Sequence, residues 1–340
     1  MLLIESGSGC REGAVSAGID ERQLREVRRD DWGVALGAPS RHRAPAGSIE
    51  FAAPVMTASG TAGYGTELGA YLDLASIGAV VTKSLAAYEW PGNPAPRLHP
   101  TPQGMMNAVG LQGPGVQYWL DQVVGDLVAC GATVVASIWG RSVDDYAQAA
   151  ELLAAAPPEV VAVEVNLSCP NLEGRGSIFA HDAALSAEVM AATAACGRPR
   201  WAKLSANTDR IIDVAEAVMT AGAEAVTCIN TLLGLAYDPH TLAPTLGAGG
   251  GGLSGRAIHP VAVRAVHDVH QALPEVPIVG VGGVASAWDA VELLLAGASA
   301  VQVGTASFAD PSAAAAIQSG LIEWASERGL TRLADIAAIA

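Results

Sequence analysis

The sequence predicts a single-domain (β/α)8 TIM barrel of the α/β class, preceded by an N-terminal extension. Three observations carry this reading. Eight short apolar runs rich in Val and Ile recur from residue 53 onward, each ending in a polar or glycine-bearing turn. Ala/Leu-rich helical segments separate them. The runs are nearly continuously apolar, as in strands buried on both faces, and such strands joined by helices pair in parallel. Eight units fit a closed barrel better than an open doubly wound sheet, which the pattern alone leaves as the alternative.

Residues 1–46 stand apart. "DERQLREVRRDDWG" (20–33) is densely charged, and "GAPSRHRAPAG" (37–47) is a Pro/Gly/Arg linker-like stretch. This segment is expected to be a peripheral or poorly ordered arm, with the barrel over 47–340. The strand candidates are 53–59, 79–84, 133–139, 160–168, 200–205, 225–231, 277–283 and 299–306. Helices are expected over 142–155 and 286–297, where Ser142 with Asp145 and Ser286 with Asp289 form acidic capping boxes. Between the second and third strands, residues 89–115 carry six prolines and five glycines, too many for a barrel helix. So long a loop suggests a function, such as covering the barrel mouth and contributing Asn107.

Composition narrows the function classes. The chain has 340 residues, 51% hydrophobic and 16% charged, which suits a protein with a large core and no metal-rich or disordered character. A net charge of −15 argues against a nucleic-acid groove or an anionic membrane surface. Five scattered cysteines without a C-x-x-C argue against a zinc or iron–sulfur site built by this chain alone. They suit a reduced, cytoplasmic protein, with Cys130, Cys196 and Cys228 as small packing residues. The start "MLLIESGSGCREG" lacks a signal-peptide pattern, and no apolar run is long enough to span a membrane.

In a (β/α)8 barrel the chemistry gathers at the C-terminal ends of the strands. Those ends read Ser59-Gly60, Lys83-Ser84, Asn166 to Asn171, Lys203, Asn230-Thr231, Gly282-Gly283 and Gly304-Thr305. Two lysines at strand ends are notable where lysine and arginine together number only 19. Glycines before a helix start let backbone N–H groups approach an anion, so the last two strand ends suit a flavin mononucleotide or a phosphorylated substrate. Simple tight turns are the plainer reading. "GAGGGGLSG" (247–255) is a third candidate anion loop, or else a linker.

Several motifs in register carry a resemblance: "GNPAPRL" (92–98), "MMNAVGLQGPG" (105–115), "NLSCPN" (166–171), "INTLLG" (229–234), "GGLSGRAIHPVAVR" (251–264), "GVGGV" (280–284) and "GASAVQVGTA" (297–306). Together they resemble dihydroorotate dehydrogenase from about residue 48 to the end. The cysteine in "NLSCPN" resembles class 1, and "MMNAVGLQGPG" with "INTLLG" looks like the NAD-dependent type B catalytic subunit. The resemblance implies an FMN-containing cytoplasmic enzyme that oxidises dihydroorotate to orotate in pyrimidine biosynthesis. It implies Cys169 as the base removing the C5 proton, on the face of the substrate opposite the flavin that takes the C6 hydride. Asn107, Asn166, Asn171 and Asn230, with Thr231, match the substrate amides. The backbone of Val109, Gly110 and Leu111 matches the cap on the substrate carboxylate. Lys83 matches a lysine touching flavin and substrate, and Lys203 one near flavin N1 and O2. Ser59, Ser84, Asn166, Ile229, Gly255, Gly282, Gly283, Gly304 and Thr305 match flavin-binding positions, the last four at or near the phosphate.

The match has departures. Ser137 stands where this branch carries a flavin-contacting asparagine, and Arg175 and Ala180 stand where the active-site loop carries glycines. The resemblance further implies a homodimer and a partner subunit with FAD and a [2Fe–2S] cluster, whose cysteines this chain lacks. The alternatives are an FMN-dependent dehydrogenase or reductase of another dihydropyrimidine, and a degenerate flavin-binding subunit.

Overall fold

The computed structural model describes residues 46–49, 51–168, 178–330, 334–337 and 339. The expected arm up to residue 45, and Cys169, Asn171 and Arg175, lie outside the described residues. In chain order the strands are β1 (Val55–Thr57), β2 (Val80–Val81), β3 (Leu98–Thr101), β4 (Gly104–Asn107), β5 (Val134–Ile138) and β6 (Val160–Asn166). They continue with β7 (Arg200–Lys203), β8 (Ala225–Cys228), β9 (Leu232–Gly234), β10 (Gly251–Ser254), β11 (Ile278–Val281) and β12 (Ala300–Val303).

All eight apolar runs become parallel barrel strands, in the order β1-β12-β11-β8-β7-β6-β5-β2. The two ends of that order meet. Gly78 N–H donates to Val55 O at 2.7 Å and Thr57 N–H to Ala79 O at 3.1 Å. The Thr57 hydroxyl extends the seam, accepting from Val81 N–H at 2.8 Å in a fully buried position. This closure rules out the open sheet.

Alternation along each strand sorts side chains into an inner and an outer set. The outer set packs on the helices. In the helix Val143–Leu153, Tyr146, Ala149, Ala150 and Leu153 are buried, the i, i+3, i+4, i+7 stripe of a core-facing helix. Ser142 accepts from Asp145 N–H at its start, and Ser286 from Asp289 N–H before Ala287–Leu295, so the serine half of each expected capping box forms, while the acids accept one residue earlier, from Arg141 and Ala285 N–H. The inner set changes character from bottom to top. Phe51, Met56, Ala162, Trp201, Ala225 and Ala300 make an apolar plug, with Phe51 edge-on to Trp201 at 5.6 Å between ring centres. Two residues higher on the same strands come Glu164, Lys203, Thr227 and Gln302, all buried.

A second, antiparallel sheet of order β3-β4-β10-β9 has no counterpart in the sequence reading, which placed loops over 89–115 and 247–255. Both glycine and proline argued against strands there. Pro100 is tolerated because β3 is the edge of this sheet. The glycines of β10 are required by close packing: a Cβ on Gly252 would lie 2.7 Å from Thr231 Cβ, and one on Gly251 2.6 Å from Leu246 Cδ1. Among the described residues no helix is long and apolar enough to cross a membrane. Cys196 and Cys228 are buried, and burial pushes the Cys228 thiol up to about 12, so it serves as packing rather than as a nucleophile.

Substituting Thr57→Val removes the hydroxyl that accepts from Val81 N–H at the barrel seam. Denaturant unfolding should register a loss of about 1–3 kcal/mol; an unchanged midpoint and slope would show that the seam does not depend on this hydroxyl.

Candidate active site

A cavity of about 550 Å³ opens at the C-terminal ends of the barrel strands, bordered by the second sheet. That size suits a cofactor or small-molecule site. Ser59, Lys83, Ser84, Asn166 and Lys203 line it from the first strands, and Ile229, Asn230 and Thr231 from the end of β8. Gly255, Gly282, Gly283, Gly304 and Thr305 line another side, and Asn107 with Val109, Gly110 and Leu111 come from the excursion after β4. Sequence-expected residues thus converge. Ser137 does not line the cavity: it is fully buried beneath it, and its hydroxyl lies 2.9 Å from Ser84 Oγ.

Two polar networks underlie the cavity. The deeper one is charged. Lys203 Nζ lies 3.3 Å from Glu164 Oε1 and 3.5 Å from Gln302 Oε1. Glu164 Oε2 accepts from Thr227 at 3.1 Å and Gln302 Nε2 at 2.8 Å. Four strands, β6, β7, β8 and β12, contribute one member each. The upper network is neutral. Asn166 Nδ2 donates to Ser84 Oγ at 3.2 Å, Asn230 Nδ2 donates to Asn166 Oδ1 at 3.1 Å, and Ser59 Oγ lies 3.2 Å from Ser84 Oγ. The Asn166 carbonyl is held from below by the buried Tyr146 hydroxyl at 2.6 Å. Asn107 joins the rim, donating to Gly252 O at 3.4 Å.

The segment 108–112 is held by its carbonyls. Asn93 Nδ2 donates to Ala108 O, Asn93 N–H to Val109 O, Trp90 Nε1 to Gly110 O at 3.0 Å, and Tyr64 Oη to Gln112 O. Gly110 and Leu111 both take positive φ, 72° and 61°. Among the described residues the N–H groups of Val109, Gly110 and Leu111 donate to no protein acceptor, while all three residues face the cavity. Unpaired N–H groups at a cavity wall are a ready anion site.

The opposite side is a glycine cradle. Gly255, Gly282 and Gly283 have φ of 92°, 137° and 71°. A Cβ on Gly282 would stand 2.6 Å from Ala262 Cβ, and one on Gly283 2.6 Å from His259 Cβ. Gly283 precedes the nine-residue helix Ala287–Leu295, and Thr305 Oγ1 donates to Ser254 Oγ at 2.8 Å beside it. Glycine backbone and helix start together favour a phosphate. The 247–255 stretch is therefore neither linker nor free loop: residues 251–254 form β10, and its last residue, Gly255, joins the cradle.

Pattern reading passed over Trp90, Trp139, Arg141 and Asn207, which also line the cavity. Asn207 braces the Thr231–Leu233 turn, donating to Thr231 O at 2.9 Å and accepting from Leu233 N–H at 2.8 Å. A polar residue a few positions past a strand end was the available signal. Ala180 is buried in a short turn, its N–H donating to Leu167 O, so it packs at the far end of the 169–177 segment rather than lining the cavity. Tyr88 donates to Asp145, and burial with this bond pushes its phenol up to about 12.

Fold and site together define a (β/α)8 barrel whose cavity, lined by amides and two lysines, suits an anion-bearing ligand. The chain belongs to the dihydroorotate dehydrogenase family, whose profile matches residues 46–324. It is 47% identical over 291 residues to the dihydroorotate dehydrogenase B (NAD(+)) catalytic subunit of Trichlorobacter lovleyi, covering 85% of this chain and 95% of that protein. Identity is 45% over 289 residues to the protein of the same name from Pelobacter propionicus, covering 85% and 94%. A more distant relative of that name, from Bacteroides thetaiotaomicron, is 38% identical over 291 residues, covering 85% and 95%.

Glu164→Ala would leave the Lys203 ammonium buried without its carboxylate, a loss of about 3–5 kcal/mol in denaturant unfolding. Adding Lys203→Met to that variant should restore a large part of the loss, because the stranded charge is gone; a further drop would show that the pair does not act as a unit.

Proposed function

We propose that this chain is the catalytic subunit of an NAD-linked dihydroorotate dehydrogenase, oxidising dihydroorotate to orotate in pyrimidine biosynthesis with FMN as its flavin. One observation carries the reading: a single cavity joins Asn107, Asn166 and Asn230 to unpaired N–H groups at Val109–Leu111 and to a phosphate-suited glycine cradle. A pyrimidine dione alternates N–H and C=O along its edges, and amides, which both donate and accept, complement it. The exocyclic carboxylate suits the N–H groups of Val109, Gly110 and Leu111.

The cavity residues also fit FMN. Gly255, Gly282, Gly283, Gly304 and Thr305 would hold the phosphate with their backbone, which can pack this closely on Ala262 and His259 only because Gly282 and Gly283 carry no side chain. Ser59, Ser84, Asn166, Lys203 and Ile229 would hold the ring system, with Ser137 acting only through Ser84. Bound FMN would supply the hydride acceptor for the C6 position of dihydroorotate. The chain's own task is then proton removal and orientation. Cys169 follows Ser168, which lines the cavity, and is proposed as the base for the C5 proton. A free thiol has a pKa near 8.5, so proton transfer at neutral pH needs a site that favours thiolate or loss of the C6 hydride in the same step. Lys83, Asn107, Asn166, Asn171, Asn230 and Thr231 would fix the ring so that C5 faces the thiol.

The relatives' name also supports a separate subunit that passes electrons to NAD, and FAD with a [2Fe–2S] cluster is the chemistry proposed for it. A homodimer of this chain and a cytoplasmic location belong to the same proposal.

Anaerobic addition of dihydroorotate should bleach the bound flavin, and dihydrouracil should not; bleaching by dihydrouracil alone would favour the other-dihydropyrimidine reading. Gly283→Ala should lower the FMN content of the purified chain, read from its visible spectrum. Cys169→Ala should retain yellow flavin yet oxidise dihydroorotate about a hundredfold or more slowly at neutral pH; full activity would remove Cys169 as the base.

A further inference from the structure

Arg141 lies on the cavity wall, half-buried, in the loop after β5. Its guanidinium carbon sits 4.8 Å from the centre of the Trp90 ring. Among the described residues no carboxylate lies within ion-pair distance of it, and its Nε is buried without an acceptor. The nearest acid on its own loop is already engaged: Asp145 Oδ2 accepts from the Arg141 backbone N–H and from Tyr88 Oη, each at 2.9 Å.

Two more buried polar groups on this wall lack a partner. Trp139 Nε1 has no acceptor, and Ser168 Oγ makes no hydrogen bond. Buried donors without partners are costly in a finished structure, and three together at one cavity wall indicate a missing acceptor. The indole of Trp90 ties this wall to the unpaired amides. Its face carries the Arg141 guanidinium and its Nε1 holds Gly110 O, while Trp139 packs edge-on against it at 6.0 Å between ring centres.

We infer that Arg141, beside Trp139 and Ser168, is a second contact for the substrate carboxylate, adding charge to the Val109–Leu111 amides and setting a preference for anionic over neutral pyrimidines. The inference rests on the reading of the cavity as a dihydroorotate site. Neutral amides alone recognise the dione that orotate and uracil share. A guanidinium held over an indole distinguishes them by charge, and it is preorganised because that contact already restricts its rotamers. Removing its charge therefore weakens binding of the anion and leaves the neutral ring unaffected.

The test titrates the flavin-loaded chain with orotate and with uracil, following the change in flavin absorbance. Arg141→Gln should weaken orotate binding about tenfold to a hundredfold, flatten its dependence on ionic strength, and leave uracil binding and flavin content unchanged. Arg141→Lys, which keeps the charge but not the fork, should fall between. Unchanged orotate affinity in Arg141→Gln would overturn the inference. Equal weakening of orotate and uracil, or loss of flavin, would overturn it too, because that pattern marks a purely structural role. A wild-type chain that binds FMN but no orotate would instead strike down the reading of the site, and the inference with it.

Discussion

A carboxylate with no exposed surface and an ammonium that is almost as buried face one another inside this barrel, and much of the site depends on them. Glu164 and Lys203 sit one layer above the apolar plug, with Thr227 and Gln302 completing a polar ring drawn from four strands. A buried ion pair contributes little net stability, since desolvation offsets the attraction. Its strength lies in the cost of any other arrangement. Strand side chains alternate strictly, so a one-residue slip of β6 would turn Glu164 outward into the helix layer and leave Lys203 alone. The pair therefore acts as a register lock. The same register places Asn166, two residues above Glu164, at the cavity, and aligns it with Lys203 on β7.

Above that lock, recognition passes to neutral groups. Ser59, Ser84, Ser137, Asn166 and Asn230 form a connected set reaching from the end of β1 to the end of β8. Each amide spends part of its hydrogen-bonding capacity on its neighbour, so the side chains are oriented before a ligand arrives. Ser137 illustrates how a shorter residue changes the arrangement. It reaches Ser84 but not the cavity, and so becomes a support for the upper network. The 108–112 segment follows the same logic in backbone form: its carbonyls are consumed by Asn93, Trp90 and Tyr64, and its N–H groups remain for a ligand. Preorganised donors of this kind lose no reorganisation energy when charge arrives.

The barrel was legible in the sequence because its signal is local and repeated. Runs such as "VVAVEVNLS" (160–168) and "AVTCINT" (225–231) are apolar enough to be strands and polar enough at one end to be sites. The second sheet was not legible, because its strands form only through one another. Gly252 leaves room for Thr231 to pack on the backbone of β10, a requirement set by a residue distant in the chain and invisible to a local reading. Site residues at strand ends were found for the same reason the strands were. Arg141 and Asn207, lying past those ends, were missed because their roles come from contacts with Trp90 and with the Thr231–Leu233 turn. Cys169 and Asn171 were legible only as part of "NLSCPN".

The division of labour between the two kinds of cation follows from their shapes. Of 19 lysines and arginines, only Lys83 and Lys203 are lysines, and both line the cavity. Arginine's planar fork carries several donors in fixed directions. Arg198 uses it to bind the carbonyls of Leu153, Pro157, Val160 and Cys196, sealing the turn after the helix Val143–Leu153. Arg97 does the same at the mouth, donating to Pro91 O and Asn93 O and so fixing the loop that carries Asn93. A fork in the place of Lys203 would need more acceptors than Glu164 and Gln302 offer. A single ammonium on a slender stem reaches Glu164 of β6 and Gln302 of β12 at the edge of the cavity. Arg198 and Arg97 thus clamp backbone and Lys203 sets one charge against one carboxylate, whereas Arg141, which lines the cavity, donates its side chain to no carbonyl among the described residues.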